Sequence, residues 1–386
     1  MAAYTQTQTA FYVGILANAA SAAPPGDVSE LEAFAYKYIV GQLLESDPFI
    51  GEWEVVWGPA VYQAPLSKVA DNTIFAAQAG PDTPIPGQIV IGIAGTNPNS
   101  AFDWLLEDFG VAHSVPWGYG QPGPGLKPRV SLGTHVGLCK LQSLMPGPGL
   151  PGFGTTIAGF LAATAPGSSR VTVSGHSLGG ALTVAASLWL SDTQSTWNPG
   201  KKTALASVPS AGPTSGNKDF AAYFDSQLGS ATTRIHNSLD LVPHAWQSDQ
   251  LKQAPGLYEP EIPATLVLWA LAEYAISVTQ SQNYTHALES APPLDGAINA
   301  KIIDPEKDAC YNYAAQAIYQ HVGAYFELLG LDTTSKSILL PLALAASPGA
   351  DAAALLLKQA QRRFFTARKI KRALSAAGKA SAPFKS

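Results

Sequence analysis

The chain has 386 residues, 46% of them hydrophobic and 13% charged. That composition argues against an intrinsically disordered chain and allows one large α/β domain or two small ones. The formal net charge of −5 conceals an asymmetry: residues 1–350 carry 14 Lys and Arg against 27 Asp and Glu, whereas residues 351–386 carry 9 against 1. An acidic body of this kind speaks against nucleic acid as the main partner.

The run from Phe11 to Ala23 is small and apolar, like the middle of a signal peptide. No Lys or Arg precedes Lys37, however, so residues 8–22 are read as an N-terminal helix and an intracellular location is favoured over a secreted one. Two helical patterns occupy roughly 5–45. Short strands follow at 53–57, 60–64 and 73–79, then a buried strand at 89–95 and a helical pattern at 97–110. A Pro- and Gly-rich loop spans 116–128, a helix covers 134–144, a second such loop spans 145–154, and a helix covers 155–164. Further strands are expected at 203–211 and 232–237, separated by the helix NKDFAAYFDSQL. No stretch of 18 or more apolar residues lacks a polar break, so a membrane span is not expected. Strands alternating with helices predict an α/β fold with a mainly parallel central sheet and helices on both faces.

The segment VTVSGHSLGG (171–180) carries the chemistry. Val171 and Val173 alternate as in a strand entering a core, and ALTVAASLWL reads as a buried helix. Ser177 therefore stands on a strand-to-helix turn, between Gly175 and Gly179 at the spacing G-x-S-x-G. Such a turn lifts the hydroxyl out at the strand's C-terminal edge and leaves N–H groups at the helix start for developing negative charge. A serine hydroxyl needs a base within hydrogen-bond reach, and the base needs an orienting acid. Asp240 stands where strand 232–237 gives out. Of seven histidines, His176 adjoins the serine and is read as pointing away, His113 and His135 precede it, His236 lies within a strand, and His244 is only four residues past Asp240. His286 and His321 remain, and His321 is favoured by its place at a break before an aromatic helix.

The ordered set GHSLGG, AGPTSGNKDFA (211–221), HNSLDLVPH and QHVGAYF resembles the fungal-type class 3 lipases of the α/β-hydrolase superfamily. IGIAGTNPNSAFDWLLEDF is similar to that family's oxyanion strand and following segment, and THVGLCKL (134–141) to its helix entry. The resemblance runs from about 70 to 330. It implies Ser177 as nucleophile, Asp240 as acid and His321 as base, with Thr96 and Leu178 supplying the oxyanion hole. Thr96 follows Gly95 at the end of a buried strand, and the N–H of Leu178 opens a helix, where the helix itself offers no acceptor. Ala94 replaces the family's usual Arg, and Pro213-Thr214-Ser215-Gly216 replaces its Pro-Arg-Val-Gly; both departures bear on substrate class.

Phe102, Leu105, Leu106 and Phe109 fall at i, i+3, i+4 and i+7, an apolar stripe beside Trp104 where the family carries its lid. The expected organisation is an α/β-hydrolase domain over 1–330, with a lid near 97–112 and a cap insertion at 250–296, and a basic helical extension over 331–386. That tail reads as a solvated helix or one docked on the acidic body, with contact to an anionic membrane as the alternative. The expected activity is hydrolysis of lipid esters through an acyl-enzyme, with no cofactor and no metal. A carboxylesterase, phospholipase or polymer or aryl esterase is the alternative within the same chemistry, and a non-catalytic scaffold the alternative outside it. Cys139 and Cys310 allow one disulfide.

Overall fold

Helices α1 (Gln6–Ile15) and α2 (Val28–Ile50) begin the computed structural model, which describes residues 4–95, 110–164, 170–200 and 202–331. Each opens with a reciprocal cap. The Thr5 hydroxyl accepts from the Gln8 N–H while the Gln8 side chain accepts from the Thr5 N–H, and Asp27 and Glu30 repeat the arrangement on α2. A 3-10 stretch, Leu16–Ala22, joins them. The expected N-terminal helix is thus α1 with its 3-10 continuation. It is a core element: Phe11, Val13 and Leu16 are buried, and a Cβ at Gly14 would run into the side chain of Ser174.

Five strands form the central sheet in the order β1-β2-β3-β6-β7: β1 (Trp53–Tyr62), β2 (Asn72–Ala79), β3 (Ile89–Ile93), β6 (Arg170–His176) and β7 (Ala204–Ser210). The half that carries the site is parallel, with Ile93 opposite Gly175 and His176 opposite Ser210. The other half is antiparallel, so the sheet is mixed. Loops 63–71 and 80–88 are too short for the crossover that parallel pairing needs. The strands expected at 53–57 and 60–64 are one strand, because a register shift between Trp57 and Ala60 absorbs Gly58 and Pro59. Segment 232–237 pairs with β7 only through isolated parallel bridges, Ser207 to Thr232 and Ser210 to Ile235. Pro209 in β7 has no N–H to give to a continuous ladder. A second sheet, β4-β5-β8-β9, is built from β4 (Ser114–Pro116), β5 (Arg129–Ser131), β8 (Gly216–Asn217) and β9 (Tyr284–Thr285).

Alternation along the strands sorts their side chains into two cores. Ile91, Ile93, Val171 and Val173 join Leu138, Leu161, Leu182 and Phe224. Those four come from α3 (Leu132–Ser143), α4 (Ile157–Thr164), α5 (Leu178–Asp192) and α7 (Lys218–Leu228), with the short α6 (Gln194–Trp197) adding Trp197. On the opposite face, Val90, Ala94 and Val208 meet Phe11, Leu31, Ile39, Tyr325 and Phe326. The result is three layers, helix–sheet–helix.

Residues 250–296 begin within the short α8 (Ser248–Leu251) and contain α9 (Leu266–Thr279). Leu268 and Leu271 of α9 pack with Tyr258, Ile262 and, from α10 (Ala309–Ile318), Tyr313, Ala314 and Ala317. The Tyr258 hydroxyl donates to the carbonyl of Leu239 at 3.1 Å. This third cluster therefore binds the segment to the turn that carries Asp240 and to α10, the helix that leads into His321. Both cysteines are free thiols, Cys139 exposed and Cys310 buried. Among the described residues no helix is long and apolar enough to cross a membrane.

Candidate active site

Ser177 links β6 to α5 with φ 63° and ψ −128°. A side chain rarely adopts that conformation, which costs on the order of 1–3 kcal/mol. The neighbouring glycines make room for it. A Cβ at Gly175 would lie 2.6 Å from the carbonyl oxygens of both Gly179 and Ile93, and a Cβ at Gly179 would overlap the carbonyl of Ile93. The turn is then tied down from two sides. The Ser177 N–H donates to the Ser210 carbonyl at 3.0 Å, and the Ser177 carbonyl accepts from the Gly180 N–H at 2.8 Å. Leu178 is buried at the first position of α5, with its N–H among those that a helix leaves without an internal acceptor.

Asp240 is fully buried in the turn that follows the bridges of 232–235. Its Oδ1 accepts from the Val242 N–H at 3.0 Å, and its Oδ2 from the Tyr325 hydroxyl at 2.8 Å. His321 Nδ1 lies 3.0 Å from Oδ1 and 2.9 Å from Oδ2. His321 Nε2 lies 2.9 Å from Ser177 Oγ. Three side chains spread over 144 residues of sequence thus form one continuous run of hydrogen bonds. With Nδ1 donating to the carboxylate, Nε2 is left as the acceptor for the serine proton.

A local widening of the helix sets this reach. Tyr319–Gly323 is a π-helical turn between α10 and α11 (Ala324–Leu328). Its carbonyls accept from side chains of other elements. Asn237 Nδ2 donates to the Gln320 carbonyl at 3.1 Å and to Gln320 Oε1 at 2.7 Å. His176 Nε2 donates to the His321 carbonyl at 2.8 Å. The helix bearing the imidazole is thereby fastened both to the loop bearing the carboxylate and to the strand bearing the serine.

The remaining histidines do not reach the serine. His244 Nδ1 donates to the Asp240 carbonyl at 2.8 Å, and His286 Nε2 to the Pro243 carbonyl at 2.6 Å. Of the two candidates the sequence left, His321 is the one the fold brings to Ser177. His176 does not point away from the site: its ring centroid is 4.8 Å from that of His321. Burial, and His321 beside it, hold its pKa well below the usual histidine value.

Asn237, Gln320 and Tyr325 escaped the sequence reading. Tyr325 had a readable signal, because it stands one helical step, i+4, after His321 and a buried tyrosine hydroxyl needs a partner. Thr96, Phe102, Trp104, Leu105, Leu106 and Phe109 lie outside the described residues, as does the tail from 332 onward. The strand leading to Thr96 is described. The Gly95 N–H donates to Asn18 Oδ1 at 3.0 Å, and a Cβ at Gly95 would lie 3.3 Å from the Cβ of Ser177. Among the described residues, no group of three or more His, Cys, Asp or Glu side chains converges as a metal ion would require.

The family model described as Lipase (class 3) matches residues 154–249. Among solved structures, M37 lipase is 33% identical with a TM-score of 0.74, the alignment covering 92% of this chain and 99% of that one. Lipase II from Rhizopus niveus is 21% identical (TM-score 0.42, 64% of this chain and 76% of that one). The lipase from Rhizopus microsporus var. chinensis is 19% identical (TM-score 0.39, 63% and 71%). No curated protein matches the chain.

Proposed function

The chain belongs to the class 3 lipase family, and from that premise we propose that it hydrolyses lipid esters with Ser177 as nucleophile, His321 as general base and Asp240 as the orienting acid. The observation that carries this reading is the unbroken run from Ser177 Oγ through both nitrogens of His321 to the buried Asp240. Oγ attacks the ester carbonyl while Nε2 takes its proton. The imidazolium so formed is stabilised by the Asp240 carboxylate, and Nε2 returns the proton to the leaving alkoxide. Water then attacks the acyl carbon as Nε2 takes its proton, and Nε2 hands that proton to Ser177 Oγ as the acyl–oxygen bond breaks and the fatty acid leaves. The N–H of Leu178 and, from the sequence, Thr96 are the donors assigned to the oxyanion; losing one such donor typically costs about 10²–10³ in rate.

The stripe Phe102, Leu105, Leu106 and Phe109 is the assigned lid, on sequence grounds, and residues 250–296 are assigned as an inserted cap over the site. Burying each large apolar side chain is worth roughly 1.5–3 kcal/mol, enough for an oil surface to favour an open lid. The lid is the segment assigned to contact with a lipid interface, and the basic tail is assigned as a solvated or docked helix, with contact to an anionic membrane as its alternative. A fluorophosphonate is expected to label Ser177, and Ser177→Ala to lower kcat by about 10⁶-fold. A screen of esters from acetyl to stearoyl, with and without an interface, is expected to peak on long chains presented as an emulsion. Full activity in Ser177→Ala would overturn the mechanism. A peak on soluble acetyl esters would overturn the lipid assignment while leaving the mechanism in place.

A further inference from the structure

His176 occupies the last position of β6, next to the nucleophile, and only 6% of it is exposed. Its role is not to hold Ser177. Its Nε2 lies 2.8 Å from the carbonyl oxygen of His321, and a carbonyl only accepts, so Nε2 carries the proton. Its ring rests against the His321 ring at 4.8 Å between centroids. The ring itself packs T-shaped against Tyr325, at 5.5 Å and 88°, and against Phe11, at 6.4 Å and 82°. One side chain thus bonds the main chain of residue 321 and supports its imidazole.

We propose that His176 is a positioning residue for the reaction: its Nε2–H pins the His321 carbonyl in the π-helical turn and keeps the imidazole within reach of Ser177 Oγ. The inference rests on the reading of His321 as the base. The His321 carbonyl, in the π-helical turn, accepts a side-chain donor, and the donor comes from the strand whose next residue is the nucleophile. Serine and imidazole are therefore referenced to each other through adjoining residues of one strand, not through the rest of the fold. Burial supports the same role, since a neutral ring beside His321 adds no charge against the imidazolium that forms there.

The test compares His176→Phe, which keeps a ring and removes the donor, with His176→Gln, whose amide reaches about as far as Nε2. On a soluble ester, His176→Phe is expected to lower kcat by about 10–100-fold with KM changed less than about twofold, in line with the cost of a misplaced catalytic group. His176→Gln is expected to recover most of that loss. Fluorophosphonate labelling should slow in parallel with kcat while still going to completion. Equal kcat in wild type and folded His176→Phe, or no recovery in His176→Gln, would overturn the proposal. If His176→Phe fails to fold, the tautomer of His176 read by ¹⁵N NMR in the wild-type protein decides, Nε2–H supporting the assignment and Nδ1–H refuting it. Failure of the wild type to label would instead overturn the underlying reading of Ser177 and His321.

Discussion

Tyr325 shows how much of the site depends on side chains other than the three that react. Its hydroxyl donates to Asp240 Oδ2 at 2.8 Å and accepts from the Asn237 N–H at 3.0 Å. Burial, and then the Asp240 charge, push its pKa well above the usual tyrosine value, so it remains a donor. Tyr325→Phe strips one bond from a fully buried carboxylate and leaves the Asn237 N–H without this acceptor, at a cost of about 1–3 kcal/mol. The expected outcome is a lower urea midpoint together with a kcat reduced by about tenfold, since the carboxylate that orients His321 loses a fixed contact. Unchanged values of both would show that water replaces the hydroxyl. At this scale the sequence was legible where chemistry imposes an order. Ser177, Asp240 and His321 follow the succession nucleophile, acid, base, each at the end of a recognisable element. His176, Asn237 and Gln320 were not legible, because an ordinary polar residue acquires its role only when another element is brought against it.

Among the elements, the turn from β6 to α5 is the most tightly constrained. A Cβ added at Gly175 would lie 2.6 Å from two carbonyl oxygens, so Gly175→Ala forces the strand and the helix apart. Overpacking of this kind typically costs 1–3 kcal/mol, and backbone contacts on both sides place this substitution at about 3 kcal/mol. Denaturant unfolding checks the stability, and labelling of Ser177 checks whether the turn survives. The strand–glycine–serine–helix pattern was readable because a local steric need selects the residue types. The π-helical turn at Tyr319–Gly323 was readable only as a break in the helix near His321. Its carbonyls meet side chains of other elements, Asn237 and His176, which no local pattern of the sequence shows. The reading of 232–237 as a regular strand fails for a comparable reason, since its β-like residues face a partner strand interrupted by Pro209.

Across the whole molecule, four histidines are held below the ordinary histidine pKa. They are His176 and His286, both buried, and His236 and His244. Burial is the leading cause for all four. Arg234, itself lowered to about 10 by burial, adds repulsion against protonation of His236, His244 and His286. The unfolded chain takes up these protons near pH 6.5, whereas the folded chain resists them, His236 down to about 4. Stability is therefore fully present above pH 6.5 and lost as the pH falls below it. Each of the two buried rings contributes up to about 1.4 kcal/mol per pH unit. The urea midpoint is expected to decline from pH 7 to pH 5. A flat profile over that range would mean that these histidines are hydrated in the folded protein. Glu32, Asp192 and Asp225, raised chiefly by burial, oppose the trend at lower pH.

The sequence by itself determined the α/β architecture, the place of the nucleophile and the succession of acid and base. Periodicity, glycine sterics and motif order are properties of neighbouring residues and survive without knowledge of the fold. Tertiary structure alone decided that the sheet is mixed, that α1 lies inside the core, and that His321 rather than His286 meets Ser177. It also decided that His176 faces the base instead of turning from it. The physical reason is distance along the chain: a hydrogen bond across 144 residues is fixed by how strands and helices stack, and stacking is settled by the packing of all the layers at once.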